Sequence, residues 1–500
     1  MTDDRTPILV GVGQLTQRDD GLEQALEPVA MMVEAARAAA DDAGAGARLL
    51  AALDHVAVVN VLCFPYGNAP GLLAERVGAH PAHEIYTTIG GNTPQSLVNR
   101  MAARIAAGEA DVALLAGAEA MRTLTRARRA RAPLPWGGGE GTPSVVGDPR
   151  DGSSPSESAH GMMLPTAVYP MFENAIRARR GWTIDAHRRH LGALCARLAA
   201  VAADNPYAWF RERRTAAEIA TVTAENRWIG FPYPKRMNAI MEVDQAAAVI
   251  MTSVGRARAL GIDPSRWVYL QGAAEAHDHW LVSERIDYVS SPAIRVAGRA
   301  ALAAAGIEID AVDHLGLYSC FPSAVQIGRD ALGIAEDDPR PLTVTGGLPY
   351  FGGPGNNYSM HGIATMCDRL RAQPGTTGLV TALGWYVTKH AVGVYGTTPP
   401  LHPGRPADPA ALQREVDARP GPALVDAPNG TGIIETYTVL HDRDGTPVCG
   451  IVVGRTDDGR RFLANTAPDR DLLEALTREE GVGCRGRATQ DAEANRFDPS

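Results

Sequence analysis

The sequence predicts an α/β protein of two related halves, interrupted by a long loop-rich insertion and followed by a small all-β domain. Three observations carry this. Almost wholly apolar strand-like runs alternate with Ala-rich helical segments, as parallel strands buried on both faces require. One passage of that alternation recurs late in the chain with its element order kept. The last hundred residues abandon it for alternating apolar and polar positions. At 500 residues the chain is long enough for several packed units.

PILVGVG (7–13) reads as a buried strand, and residues 27–44 as an Ala-rich helix stopped by a glycine. LDHVAVVNVL (53–62) and EIYTTIGG (84–91) are the next strands. TPQSLVNRMAARIAAG (93–108) is a helix closed by Gly108, and ADVALLAGAEA (110–120) a further strand. Residues 294–319 echo the earlier passage, and Asp54-His55 recurs as Asp313-His314 at a strand entrance. PLTVTGG then leads into a glycine-rich loop, the helix SMHGIATMCDRLRAQPG (359–375) and paired strands TTGLVTAL and HAVGVYG. VDQAAAVIMTS (243–253) returns to buried-strand character after the insertion.

The expected domains are therefore 1–120 with 241–270 as the first half, 121–240 as the insertion, and 271–398 as the second half. Residues 399–500 form the added domain. It opens with a proline-broken linker, LHPGRPADPAALQ (401–413), and its turns fall at Asp444-Gly445 and Asp458-Gly459, which suits an OB-like barrel. The insertion carries WGGGEGTPSVVGDPRDGSSPSES (136–158) and helices rich in Arg, His and Trp, and a segment this long shapes a binding site.

Net charge is −9, which argues against a nucleic-acid protein. The one basic knot, Arg122, Arg126, Arg128, Arg129 and Arg131, reads as a solvated helix end or an anion patch. No apolar run reaches the ~20 residues of a membrane span, and the acidic N-terminus is unlike a signal peptide, so a cytoplasmic protein is expected. Six cysteines without a CxxC or a His-Cys cluster suit neither a disulfide framework nor zinc, and no metal is expected.

Four stretches carry a resemblance to a known family: residues 84–120, MEVDQAAAVIMTS (241–253), LYSCFPSAV (317–325) and TVTGGLPYFGGPGNNYSMHGIATM (343–366). They resemble, in order, the nucleophile loop with its helix and strand, the NDGAAA segment, the HDCF motif and the GG-x4-GHP-x-G region of the thiolase superfamily. The likeness covers roughly residues 5–398 and is nearest to bacterial acetyl-CoA acetyltransferase-like proteins, related to sterol-carrier-type thiolases, with an added C-terminal domain. It implies the thiolase fold, two βαβαβ halves in five layers, an acyltransferase ancestry in lipid metabolism, and CoA or acyl-CoA as ligand without a covalently bound cofactor.

Family chemistry needs a Cys that is acylated, a His that activates it, and a second Cys or His. Here the nucleophile post is Gly91, the GHP histidine post is Gly353, and the late loop offers Ala382 and Gly384. No Cys lies between Cys63 and Cys195. Cys-dependent thiolase activity is therefore not expected, and an emptied post at Gly91 suggests room for a bulkier acyl group.

Other residues are candidates for an inherited role. Tyr318 replaces the HDCF histidine and resembles the YDCF pattern of thiolase-fold aldolases, although Ser319 departs from its Asp. A tyrosine there is either a proton shuttle or strand-end packing. Cys320 fills a post usually held by an inert buried Cys. Tyr358 and His361 open the helix after the glycine loop. Lys389 and His390 follow the last catalytic loop, with a site role or a strand-end role. The loop GGLPYFGGPGNN, with Gly352 and Gly353, could offer N–H groups to a thioester oxygen or phosphate, but no GK[ST] follows, so it is not a P-loop.

For CoA the resemblance points to Lys235 and Arg236, with His160 and the arginine knot as further candidates. Ile240 stands at the post of the family's pantetheine-contacting Ser. Three readings follow: a CoA-thioester-binding protein without thiolase activity, a retro-aldol lyase acting on a β-hydroxyacyl-CoA through Tyr318, or a non-catalytic protein whose β-domain docks a partner. Monomer and dimer both stay open.

Overall fold

The computed structural model describes residues 3–18, 21–401, 407–491 and 494–500. The first part of the chain supplies strands β1 (Pro7–Thr16), β2 (His55–Val58), β3 (His83–Thr87), β4 (Val112–Ala120) and β5 (Ser144–Val146). Next come β6 (Trp228–Gly230), β7 (Tyr233–Pro234) and β8 (Asp244–Ser253). The second half holds β9 (Val268–His277), β10 (His314–Gly316), β11 (Thr377–Gly384) and β12 (Lys389–Gly396). Beyond it lie β13 (Gly430–His441), β14 (Pro447–Thr456), β15 (Arg461–Asn465), β16 (Arg485–Thr489) and β17 (Arg496–Pro499).

Ten strands run β10-β11-β12-β9-β1-β8-β4-β2-β3-β5, and the halves join where Ile8 and Leu9 of β1 pair with Tyr269 and Val268 of β9. The sheet is mixed rather than parallel. The pairs β2–β4, β2–β3, β3–β5 and β10–β11 are parallel, while β1–β8, β4–β8, β9–β12 and β11–β12 are antiparallel. Burial on both faces produces the apolar runs, whichever way the neighbours point.

The layers follow from what each face covers. Helices Thr93–Ala107 and Tyr358–Ala372 fill the middle, where Leu97, Met101 and Ile105 share a core with Met360, Ile363 and Met366. Helix Pro28–Asp42 covers the outer face of the first half. Helix Pro292–Ala305 covers that of the second, together with the insertion helices Pro165–Arg180 and Ile184–Asp204. The result is the five-layer arrangement expected.

The Asp-His echo has a physical basis. Asp54 accepts from the backbone N–H of Asp111 and Val112 at the entrance of β4, both at 2.9 Å. Asp313 accepts from Thr377 N–H at the entrance of β11, at 2.8 Å. Each aspartate ties a strand to its parallel neighbour. A second echo was not legible in the sequence: a Cβ at Gly11 or at Gly272 would lie 2.0 Å from a carbonyl of the covering helix, Ala39 or Ala301. Both helices lie on bare backbone.

A buried polar knot fixes the insertion to the second half. The Glu173 carboxylate accepts from Tyr233 Oη at 2.6 Å and Gln326 Nε2 at 2.8 Å, and lies 2.8 Å from His187 Nε2. Burial alone would raise its pKa, but His187, Tyr233 and Gln326 hold it below the usual carboxylate range. A depressed folded pKa gives stability that is complete above the unfolded value of ~4.3 and is lost as pH falls through the folded one. Glu173→Gln is therefore expected to flatten the acid limb of the melting-temperature profile and to cost about 3 kcal/mol at neutral pH. An unchanged acid limb would remove this role.

The C-terminal strands close a barrel in the order β13-β14-β15-β17-β16-β13. The two Asp-Gly turns join β13 to β14 and β14 to β15, with Gly445 and Gly459 both at φ +83°. Helix Arg470–Arg478 adds to what the alternation showed as all-β. The strands β6 and β7, from residues 121–240, extend this sheet through Leu440 opposite Gly230. Such long-range pairing leaves no local signal. Of the expected linker, residues 402–406 lie outside the described residues, and Pro409–Asp417 is a helix. Among the described residues no helix is long and apolar enough to cross a membrane, and no three His, Cys, Asp or Glu side chains gather as a metal site.

Candidate functional site

The three glycines that the resemblance aligns with the family chemistry, Gly91, Gly353 and Gly384, lie in close packing. A Cβ on Gly91 would stand 2.3 Å from Tyr318 Oη and 2.5 Å from the Leu383 carbonyl. The expected extra room for an acyl group is thus absent, because the Tyr318 phenol occupies it. At Gly353 a Cβ would meet Leu348 Cδ2 at 3.1 Å and the Ile240 carbonyl at 3.3 Å. At Gly384 it would meet Asn92 Oδ1 at 2.3 Å and Lys389 Cε at 2.9 Å.

Tyr318 and Tyr358 come together edge to face, with ring centroids 5.4 Å apart. Burial, with Cys320 and Tyr358 beside it, holds the Tyr318 phenol well above its ordinary pKa of ~10. It stays protonated, can donate a hydrogen bond, and releases its proton only with difficulty. Tyr358 Oη is engaged by Ser319 Oγ at 3.0 Å and Thr345 Oγ1 at 2.6 Å. Burial pushes the Cys320 thiol up to about 12, so it stays protonated.

The two histidines lie elsewhere. His361 is fully buried, its Nδ1 2.8 Å from Gln14 Oε1 and its ring against Phe351. Burial lowers its pKa to about 3, so it is neutral at physiological pH. His390 Nε2 lies 3.3 Å from Asp278 Oδ2 in a buried cluster. There Asp278 also accepts from the Ala293 N–H at the start of helix Pro292–Ala305, and Arg285 donates to Tyr386 O and Thr388 Oγ1.

The glycine loop spends much of its backbone on itself. Gly353 N–H goes to the Ile240 carbonyl, Gly355 N–H to Gly353, and Gly346 N–H to Thr343 Oγ1. Gly352 has φ +107°, and a Cβ there would lie 2.4 Å from Gln245 Oε1. Lys235 is exposed, while Arg236 donates to the Glu218 carbonyl at 2.8 Å. His160 instead joins the barrel, receiving the Asn495 N–H on Nε2 at 3.0 Å. In the arginine knot, Arg122 lies over Trp209, Arg129 is 3.6 Å from Glu242, and Arg128 and Arg131 are exposed. This is the solvated C-terminal end of helix Met121–Ala130, where cations complement the negative end of the helix dipole.

A cavity of about 400 Å³ lies outside these posts, under the first turns of helix Thr93–Ala107, against β9 and β12 and beneath helix Pro409–Asp417. Lys389 and His390 line it with Asn92, Ser96, Glu275 and Trp280. Sequence reasoning missed Asn92, Ser96, Glu275 and Trp280, which come from two segments nearly two hundred residues apart. The legible signal was the scarcity of lysine: only Lys235 and Lys389 occur.

This framework, two α/β halves around a double helical layer, is that of the thiolase superfamily. Residues 274–353 match the description "Thiolase C-terminal domain-like", and residues 411–493 match "Thiolase-like protein type 1 additional C-terminal domain". The chain belongs to the SCP2-thiolase like proteins of type 1. It is 40% identical over 100% of both chains to the monomeric SCP2-thiolase like protein type 1 (STLP1) from Mycobacterium smegmatis, with a TM-score of 0.86. The fold is also shared with the Ltp2-ChsH2(DUF35) aldolase at 19% identity, covering 78% of this chain and 98% of that one, TM-score 0.61. Human mitochondrial 3-ketoacyl-CoA thiolase in complex with CoA is 17% identical, covering 80% of this chain and 100% of that one, TM-score 0.57. A search of curated protein sequences returned no significant match.

Proposed function

We propose that this protein binds CoA or an acyl-CoA thioester and has no Cys-dependent thiolase activity. The observation that carries the reading is the filled post at Gly91, where Tyr318 and the Leu383 carbonyl leave no room for a nucleophile. The solved thiolase with CoA supports CoA as the ligand class, and exposed Lys235 beside Arg236 is the cationic pair offered to its phosphates. Calorimetric titration with CoA and with octanoyl-CoA tests it. Saturable binding, tighter for the thioester and weakened several-fold by Lys235→Ala, is expected. No binding at millimolar ligand would overturn it.

A second reading, retro-aldol cleavage of a β-hydroxyacyl-CoA, is favoured by the pairing of Tyr318 with Tyr358 and by the aldolase among the structural neighbours. The raised phenol pKa keeps Tyr318 protonated as a hydrogen-bond donor to the substrate oxygen, so the base would come from elsewhere. Turnover that survives in Tyr318→Phe would exclude it. We read the chain as a monomer, as its M. smegmatis relative is described, and place the third reading, partner docking, on the barrel. A dimer mass in light scattering would refute the monomer, and a docked partner would stay bound to Lys235→Ala after CoA binding is lost.

A further inference from the structure

Of 48 Lys and Arg residues, two are lysines. Lys235 is exposed, whereas Lys389 is only 5% exposed. A guanidinium never loses its proton in a protein, but an amine does. Lys389 is therefore the one buried cation in the described residues that can become a nucleophile.

Burial favours that state, against a carbonyl and two rings that hold the charged form. Lys389 begins β12 opposite His277, and its Nζ donates to the Ile89 carbonyl. A Cβ at Gly90 would lie 2.7 Å from Nζ, so the amine occupies room that only a bare backbone leaves. The rings of Trp280 and Trp385 flank it, with centroids 5.8 and 5.7 Å away. The nearby Asp148 carboxylate is held by Arg150. Burial lowers the amine's pKa to about 8, which leaves about a tenth of it neutral at pH 7.

The cavity beyond the amine holds the other groups a carbonyl addition needs. Glu275 sits two residues from Lys389's cross-strand partner, on the same face of the sheet. It accepts from Ser96 Oγ at 2.8 Å and Asn99 Nδ2 at 3.1 Å, and burial raises its pKa. Arg100 stands exposed at the rim with no ion-pair partner among the described residues, and it lines both this cavity and the adjoining one of about 670 Å³.

We propose that this cavity captures a small aldehyde or ketone bearing a carboxylate, held as an imine on Lys389 with its carboxylate toward Arg100. The Nζ lone pair attacks the carbonyl carbon, and one Nζ proton passes to the carbonyl oxygen to give a carbinolamine. Glu275 then protonates the hydroxyl, water leaves, and the nitrogen lone pair forms the C=N bond of an iminium. No oxidant or reductant is consumed. The inference does not rest on CoA binding.

The test is to trap the imine on the full-length chain with 7-oxooctanoate and cyanoborohydride, followed by peptide mass mapping. The expected product is a saturable adduct on Lys389, with the mass of the acid less one oxygen, at least about tenfold over Lys235. Its rate should rise with pH to a midpoint near 8. Arg100→Met, an exposed change, should raise the half-saturating concentration of 7-oxooctanoate several-fold and leave 2-octanone unaffected. Lys389→Met, checked for native melting, should lose the adduct; if it fails to fold, the site mapping and Arg100→Met still decide. Equal labelling of both lysines, or labelling linear in concentration, would overturn the capture site. An unaltered Arg100→Met response would overturn its preference for a carboxylate.

Discussion

Gly91→Cys is expected to destabilise the protein by about 2–3 kcal/mol and to yield no acyl-enzyme. The new Cβ would lie 2.3 Å from Tyr318 Oη and 2.5 Å from the Leu383 carbonyl. The first obstacle is a side-chain tip and the second is backbone of β11, so only half of the conflict is removable. Gly91→Cys with Tyr318→Ala should regain part of the loss, a coupling that a double-mutant cycle of melting temperatures reads directly. Mass spectrometry after incubation with acetyl-CoA should find no hydroxylamine-sensitive adduct at residue 91, because the histidine posts are also empty. A Gly91→Cys protein with native stability and a stable acyl adduct would refute this account of the site.

Arg461→Ala is expected to cost about 3–5 kcal/mol and to loosen the barrel from the second half. Arg461 is fully buried and pairs with Glu435 on both oxygens at 2.8 Å. Its Nη1 also reaches the Ser283 carbonyl at 2.8 Å and the Arg285 carbonyl beyond it, so one side chain ties β15 to the segment after β9. Burial would push Glu435 up, but Arg461 and Arg455 hold its carboxyl below the usual range. Removing Arg461 takes the donor from two buried carbonyls and leaves the Glu435 carboxylate to Arg455 alone. Arg455→Ala touches the same glutamate from a more open position and should cost about 1 kcal/mol or less. Thermal melts with limited proteolysis between residues 401 and 430 measure both. Equal, small shifts in the two variants would remove Arg461 from the docking role.

Several features were legible because they are local. Gly44 and Gly108 end helices, Asp444-Gly445 and Asp458-Gly459 make the barrel's turns, and apolar runs mark the strands. The repeated Asp-His pair marked two equivalent strand entrances before any pairing was known. That no Cys lies between Cys63 and Cys195 could be read before any folding. The joined sheet of barrel and insertion was not legible, because Leu440 and Gly230 are paired across two hundred residues of chain.

Composition, periodicity and motif order therefore determined the two-half α/β class and the added β-domain. Each depends on residue types at fixed short spacings, which the chain carries whether folded or not. Tertiary structure alone decided what stands around the candidate residues. It placed the Tyr318 phenol against Gly91, paired His361 with Gln14, and brought Lys389 from β12 to the Ile89 carbonyl. These partners lie hundreds of residues apart in sequence. Their burial and proton affinities are set by the surroundings that folding assembles, and no local pattern records them.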